Sequence, residues 1–234
     1  MIRGRTLDAR ASAANSRQAR IGMIEYYARR ALEYEQVYAK PERQADLGAL
    51  RAECRTLFAG RDLLEISCGT AWWTECFVSA KSIVATDINP EVLDIARAKA
   101  WDHCPVEFLI ADSMELPGFL RDFDAGFAGF WWSHVPVEKL HGFLTGFHSR
   151  LAPGALVAFI DNRYVEGSST PPSRRDAAGN TWQIRRLADG SCHEVMKNFP
   201  TADQIREALR PFADAVELRF LDYFWMASYH TRRR

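Results

Sequence analysis

Between Asp62 and Ile160 five short apolar runs alternate with segments of helical period, and this rhythm constrains the fold more than any other feature of the chain. The runs are Asp62–Ile66, Ser82–Asp87, Val106–Ala111, Phe123–Phe130 and Ala155–Ile160. Helical segments are expected at about 72–79, from Asn89-Pro90 to about Ala100, and over Val137–Leu151, with Asn89-Pro90 capping and starting the second. Strands separated by crossover helices lie parallel in one sheet, buried on both faces.

The flanks depart from that rhythm. Tyr27, Ala31, Tyr34 and Tyr38 recur at helical spacing and predict one face of a helix over Ile21–Ala39; a second helix, Glu42–Phe58, stops at Gly60. After Ile160 a Ser/Pro/Gly-rich stretch precedes two strand-like runs, Thr181–Leu187 and Cys192–Phe199, around a turn at Asp189-Gly190, which read as an inserted β-hairpin. Thr201 and Gln204 form a capping box for a helix to about Leu209, and Ala215–Tyr223 and Phe224–His230 supply a last strand pair. The expected fold is α/β: a doubly wound, Rossmann-like, mostly parallel seven-stranded sheet with an N-terminal helical lid and a β-hairpin insert after the fifth strand. The domain reading is a flexible extension over 1–20 and a single domain over 21–234, with the lid at 21–60 and the insert at 165–200. The Arg-rich start, Arg3 to Arg20 against Asp8, is read as a solvated extension rather than a transit peptide, and Arg232–Arg234 likewise.

Thirty basic residues balance thirty acidic ones, which argues against a broad phosphate-binding face and so against nucleic acid. No uncharged stretch approaches the ~18 residues needed to span a bilayer. Five cysteines without metal-ligand or paired spacing fit a reduced, cytoplasmic protein, and His141 and His148, one helical face apart, lack a third ligand, so no metal site is expected.

In such a sheet ligands lie beyond the carboxyl ends of the strands. The first strand ends in small residues, Ser67-Cys68-Gly69-Thr70-Ala71, that admit a close group. The second ends at Asp87, 22 residues beyond Glu65, where a carboxylate can accept from both hydroxyls of a ribose. The third leads to Asp112-Ser113-Met114, a carboxylate for an exocyclic amine beside an apolar side chain. One aspartate at a strand end is usually a turn residue. Acidic and small groups at three successive ends point to a nucleoside. A diphosphate fits poorly, because Trp72 stands where the last glycine of a dinucleotide loop belongs.

The segments Leu64–Thr74, Asp87–Pro90 and Ala111–Ser113 resemble those of class I S-adenosylmethionine-dependent methyltransferases, and are similar to the small-molecule branch that includes the ubiquinone and menaquinone enzymes. The resemblance covers about Tyr26 to Leu156. It implies S-adenosylmethionine as cofactor, with S-adenosylhomocysteine as product, and methyl transfer by in-line displacement to a small-molecule acceptor at O, N, S or C. It assigns Glu65 to orienting the loop and the methionine end, Ser67, Cys68, Gly69, Thr70 and Trp73 to the cofactor loop, and Asp87 to the ribose. Ile88 and Asn89 would flank the adenine, Asp112 would take its amine with Ser113 and Met114 alongside, and Gly129 and Phe130 would pass the methionine end. Tyr27 and Tyr34 match the family's aromatic lid, whose rings suit a sulfonium. The family's glycines at the Ser67 and Ala71 positions are replaced here, which matters if either position requires a positive φ.

For the acceptor, Trp131 and Trp132 follow the fourth strand, Asp161, Asn162 and Arg163 follow the fifth and so face the side of the glycine loop, and the insert arginines Arg174, Arg175, Arg185 and Arg186 could attract an anion. His134, at the end of a central strand, is the candidate general base. Two other readings stand beside this one: a nicotinamide-dependent oxidoreductase on a similar sheet, and a non-catalytic nucleoside-binding interaction domain. The insert either closes the protein's own pocket or makes a homodimer contact.

Overall fold

The computed structural model describes residues 20–233. The extension expected over 1–20 lies outside the described residues, apart from Arg20, which is helical.

Seven strands form one sheet in the order β3-β2-β1-β4-β5-β10-β9. They are β1 (Asp62–Ile66), β2 (Ser82–Asp87), β3 (Val106–Ile110), β4 (Phe123–Gly129), β5 (Leu151–Asn162), β9 (Glu217–Phe220) and β10 (Phe224–His230). β1 to β5 run parallel, while β10 pairs antiparallel with both β5 and β9. The chain winds outward from β1 to β3, then returns to place β4 on the other side of β1. The switch point therefore lies between β1 and β4, and its crevice opens at their carboxyl ends.

Helices α2 (Gln44–Leu57), α3 (Pro90–Arg97), α4 (Leu140–His148) and α5 (Ala202–Leu209) cover the sheet. One face buries Phe143, Phe147, Phe159, Leu209 and Trp225; the other buries Leu50, Phe58, Phe77 and Phe127. The α5 capping box is formed: Gln204 N donates to Thr201 Oγ1 at 3.3 Å, and Thr201 N donates to Gln204 Oε1 at 2.9 Å. Asn89 occupies the N-cap of α3 without a side-chain cap bond.

Two expected helices differ. The helix anticipated at 72–79 is a series of turns with a three-residue 3-10 helix, Thr74–Cys76. Trp73, Cys76 and Phe77 are all buried there, so tertiary packing holds the segment in place of helical hydrogen bonds. The N-terminal lid is broken: α1, described over residues 20–29, turns at Arg30 into a 3-10 helix, Ala31–Tyr38.

The insert is a three-stranded antiparallel sheet, β6 (Arg174–Arg175), β7 (Thr181–Arg186) and β8 (Cys192–Met196). Leu187 and Val195 pack against Met23 and Tyr26 of α1. The insert thus closes over the chain's own lid.

Candidate active site

The loop after β1 carries three residues in the left-handed region: Ser67 at φ 51°, Gly69 at 56° and Ala71 at 65°. Two of the three are not glycine, which costs roughly 1–2 kcal/mol each. The loop conformation thus demands what the glycines of the resembling family supply. Ser67 Oγ lies 2.7 Å from Ser113 Oγ, a bond that ties the loop to the end of β3. At Gly69 the absent side chain matters as well as the φ, since a Cβ there would stand 2.5 Å from the Tyr34 ring.

Asp87 closes β2 with its carboxylate gripped on both sides. Gly69 N donates to Oδ2 and Asn89 N to Oδ1, each at 2.9 Å. Desolvation nonetheless pushes its pKa up to about 6. Glu65, buried behind the loop, accepts from Thr74 Oγ1 at 2.6 Å; burial, with the Asp87 charge adding to it, raises it to about 8. Asp112 Oδ1 accepts from Met114 N at 2.9 Å, and its other oxygen pairs with Arg20 of α1.

Beyond β4, Phe130 is also left-handed, at φ 60°, and the backbone turns into Trp131–His134. His134 Nδ1 lies 2.7 Å from the Met196 carbonyl, which can only accept, so Nδ1 carries the proton and Nε2 is the acceptor. The Tyr27 hydroxyl donates to Nε2 at 2.9 Å. Burial, reinforced by the Lys197 charge, pushes His134 down to about 3.

Tyr27, Tyr34, Ser67, Asp87, Ile88, Asn89, Asp112, Ser113, Gly129, Phe130, Trp131 and His134 all line one cavity. Its volume is about 90 Å³, below the ~300 Å³ at the small end of ligand pockets. Tyr34 of the 3-10 helix over Gly69 and Arg20 of α1 on Asp112 narrow it. A groove of about 1130 Å³ adjoins it, between lid, insert and α4, and shares Trp131, His134 and Met23. Met114 faces that groove.

Other sequence candidates lie elsewhere. Trp73 is packed beneath Gly129 and Phe127, and Trp132 stands in the core against Phe159 and Trp225. Cys68 and Thr70 are buried in the loop, with Thr70 Oγ1 donating to Glu35 at 2.8 Å. Arg163 turns away from the crevice: its N–H donates to the Tyr223 carbonyl at 2.8 Å and its guanidinium to that of Leu221. Asp161 is fully buried in an internal network, accepting from Ser133 N at 2.8 Å and from Lys197 Nζ at 2.9 Å. Lys197, Asn162, Arg30 and Arg185 join the cavity wall. Of these, Asn162 stood out in the sequence as one of the polar residues after the fifth strand, and Arg185 as one of a run of insert arginines.

The carboxylate at the end of β2, the small-residue loop beneath a tyrosine and the aromatic lid suit an adenosyl sulfonium. They do not suit a dinucleotide, because behind the loop stands only the three-residue 3-10 helix Thr74–Cys76 and no α-helix to meet a diphosphate. Trp72 fills that place, stacked on Tyr38 at 4.0 Å with Arg51 over its ring.

Residues 63–154 match the family model described as a methyltransferase domain. No curated protein matches the chain in sequence. Among solved structures the chain is similar to DhpI in complex with SAH, at 25% identity and TM-score 0.75, over 92% of this chain and 98% of that one. The complex of DhpI with SAM and HEP matches at 25% identity and TM-score 0.75, over 90% and 96%. The PH0226 protein from Pyrococcus horikoshii OT3, at 15% identity and TM-score 0.67 over 86% and 99%, shares the fold.

Fold, site and comparisons together define the class: a Rossmann-like class I methyltransferase. The chain is an enzyme of the S-adenosylmethionine-dependent kind, and S-adenosylmethionine is its cofactor.

Proposed function

We propose that this enzyme methylates a small-molecule acceptor by in-line displacement, in a pocket between the lid, the end of β4 and the insert. The observation that carries the reading is the convergence of Asp87, His134 and the lid tyrosine Tyr27 on one cavity that opens beside a larger groove. The cofactor, when bound, supplies an electrophilic methyl group on a sulfonium whose departure as a thioether needs no acid.

The chain's own residues do the rest. Asp87, fixed by two backbone N–H groups, is preorganised to accept from a ribose diol. Asp112 and Ser113 stand at the adenine side once Arg20 is displaced. Tyr27 and Tyr34, with ring centroids 5.9 Å apart, present π-faces to positive charge and exclude water. His134 Nε2 is unprotonated and accepts from the Tyr27 hydroxyl, and its burial makes it a weak base; it takes the proton of an acceptor X–H, as the bond from X to the methyl carbon forms, only where the acceptor displaces that hydroxyl or passes the proton through it. Most of the acceleration comes from holding the acceptor atom ~3 Å from the methyl in line.

DhpI, 96% of whose chain is matched, forms a complex with SAM and HEP, which supports a small acceptor here. The balanced charge supports the same reading over nucleic acid. No helix among the described residues is long and apolar enough to cross a membrane, and all five cysteines are free, which supports placing the enzyme in the cytoplasm. The test is turnover: purified protein incubated with S-adenosylmethionine and a panel of small hydroxy, amino, thiol and carboxylic compounds, followed by mass spectrometry. Formation of S-adenosylhomocysteine together with a product heavier by one methylene supports the proposal. Turnover confined to a macromolecular acceptor overturns it.

A further inference from the structure

The acceptor end of the cavity carries more hydrogen-bond donors than acceptors. The indole Nε1 of Trp131 and the amide Nδ2 of Asn162 are buried and meet no acceptor among the described residues, and both residues line the cavity. Lys197 Nζ donates to Ser133 Oγ at 2.6 Å and to Asp161 Oδ1 at 2.9 Å, which leaves one of its three protons. Arg185, on the insert, bonds through its guanidinium to the neutral Gln183 Oε1 at 2.5 Å and pairs with no carboxylate among the described residues. It lines the cavity together with Trp131, His134, Asn162 and Lys197.

The cavity's own acids cannot match these donors. Asp87 is held by Gly69 and Asn89, and Asp112 by Met114 and Arg20, at the ends of β2 and β3. The cofactor's single carboxylate accounts for part of the excess, and Arg30, which also lines the cavity, is a further cation available to it. What remains is a set of N–H groups from β7, β5, the end of β4 and the residue after β8, all facing one space. Buried donors need acceptors, and charged or multiply accepting oxygens satisfy several at once.

We propose that Arg185, Lys197, Asn162 and the Trp131 indole form an oxyanion subsite that binds the acidic group, carboxylate or phosphate, of the methyl acceptor. The inference rests on the small-acceptor reading above and narrows it: the acceptor is a small acid, steered in along the groove beside the insert. An anion opposite a sulfonium also balances charge in a space that closes to water.

The test uses the full-length protein saturated with S-adenosylhomocysteine and titrated by calorimetry with acetate, inorganic phosphate and, as the uncharged match, acetamide. Saturable binding of acetate or phosphate is expected, with acetamide silent; whichever anion binds more tightly identifies the acid class. Arg185→Gln should weaken that anion by about tenfold or more while S-adenosylhomocysteine affinity stays within about twofold, as befits loss of a charged hydrogen bond outside the cofactor site. Should R185Q also lose S-adenosylhomocysteine, Asn162→Leu, similar in volume, makes the same comparison and should weaken the anion several-fold. Neither anion saturating, acetamide binding as well as acetate, or anion affinity unchanged in the variant that keeps S-adenosylhomocysteine would overturn the subsite. Failure of the wild-type protein to bind S-adenosylhomocysteine contradicts the cofactor reading instead, and the anion titrations of the unsaturated protein then decide the subsite separately.

Discussion

The Tyr27 hydroxyl and His134 Nε2 stand 2.9 Å apart, a bond that joins the lid helix α1 to the end of β4. With Nδ1 held by the Met196 carbonyl of the insert, His134 is gripped by two other parts of the chain, lid and insert, and Nε2 is turned to Tyr27 at the cavity wall. If His134 takes the acceptor's proton, Tyr27 is the group that must yield or relay it.

His134→Asn keeps a donor for the Met196 carbonyl and removes the basic nitrogen. It should lower kcat by roughly 10²–10⁴-fold with an acceptor that must lose a proton, with S-adenosylhomocysteine affinity nearly unchanged. Because burial holds His134 near 3, the wild-type pH–rate profile should show no inflection at the ordinary histidine value of about 6.5. An inflection there that disappears in H134N would contradict the buried, neutral assignment.

Lys197 and Asp161 are 5% and 0% exposed, a buried ion pair at 2.9 Å. Lys197→Met leaves the Asp161 charge without its cation and should cost about 3–5 kcal/mol, read by urea denaturation. The double variant K197M/D161N removes both charges and should recover part of the loss. A double variant no more stable than K197M would show that the pair is not coupled.

Glu65 gives stability a pH dependence of known sign. Its folded-state value, about 8, lies above its ordinary value of 4.5, so the folded chain holds a proton the unfolded chain has lost. That contribution is complete below 4.5 and is lost as pH rises toward and through 8. Between pH 6.5 and 8 the cofactor-free protein should lose stability on the order of 1 kcal/mol, a fall in Tm of a few degrees. Glu65→Gln mimics the protonated form and should flatten this slope. An equal slope in E65Q would place its origin elsewhere.

Gly69→Ala sets a methyl group against the Tyr34 ring in a backbone conformation that disfavours side chains. It should weaken S-adenosylhomocysteine binding by more than about tenfold, as expected for a strained loop and an obstructed lid. G69A combined with Tyr34→Ala relieves the clash but not the backbone strain, so calorimetry on the two variants separates these causes.

Legibility in the sequence follows how local each signal is. β1, β2 and the α5 capping box were readable because period and caps lie within a few residues. The 72–79 segment misled because Trp73, Cys76 and Phe77 have helix-like spacing, yet the Trp73 and Phe77 rings pack on Phe127 of β4, and no side-chain cap starts a helix there. Arg163 follows β5 as expected, but β10 pairs with β5 up to Asn162, and the chain continues along Tyr223 rather than over the crevice. Asn162 was legible as a polar residue ending β5, whereas Lys197 had no local signature. Only the folding of the insert back onto the sheet brings Lys197 to Asp161, 36 positions away in sequence.

The account stands on the carboxylate at the end of β2 gripping an adenosyl group. Calorimetric titration with S-adenosylhomocysteine should give a dissociation constant of about micromolar order for the wild-type protein. For Asp87→Ala it should be weaker by about 1.5–3 kcal/mol, the loss typical of a charged hydrogen bond. No binding to the wild-type protein, or equal binding to D87A, would contradict it.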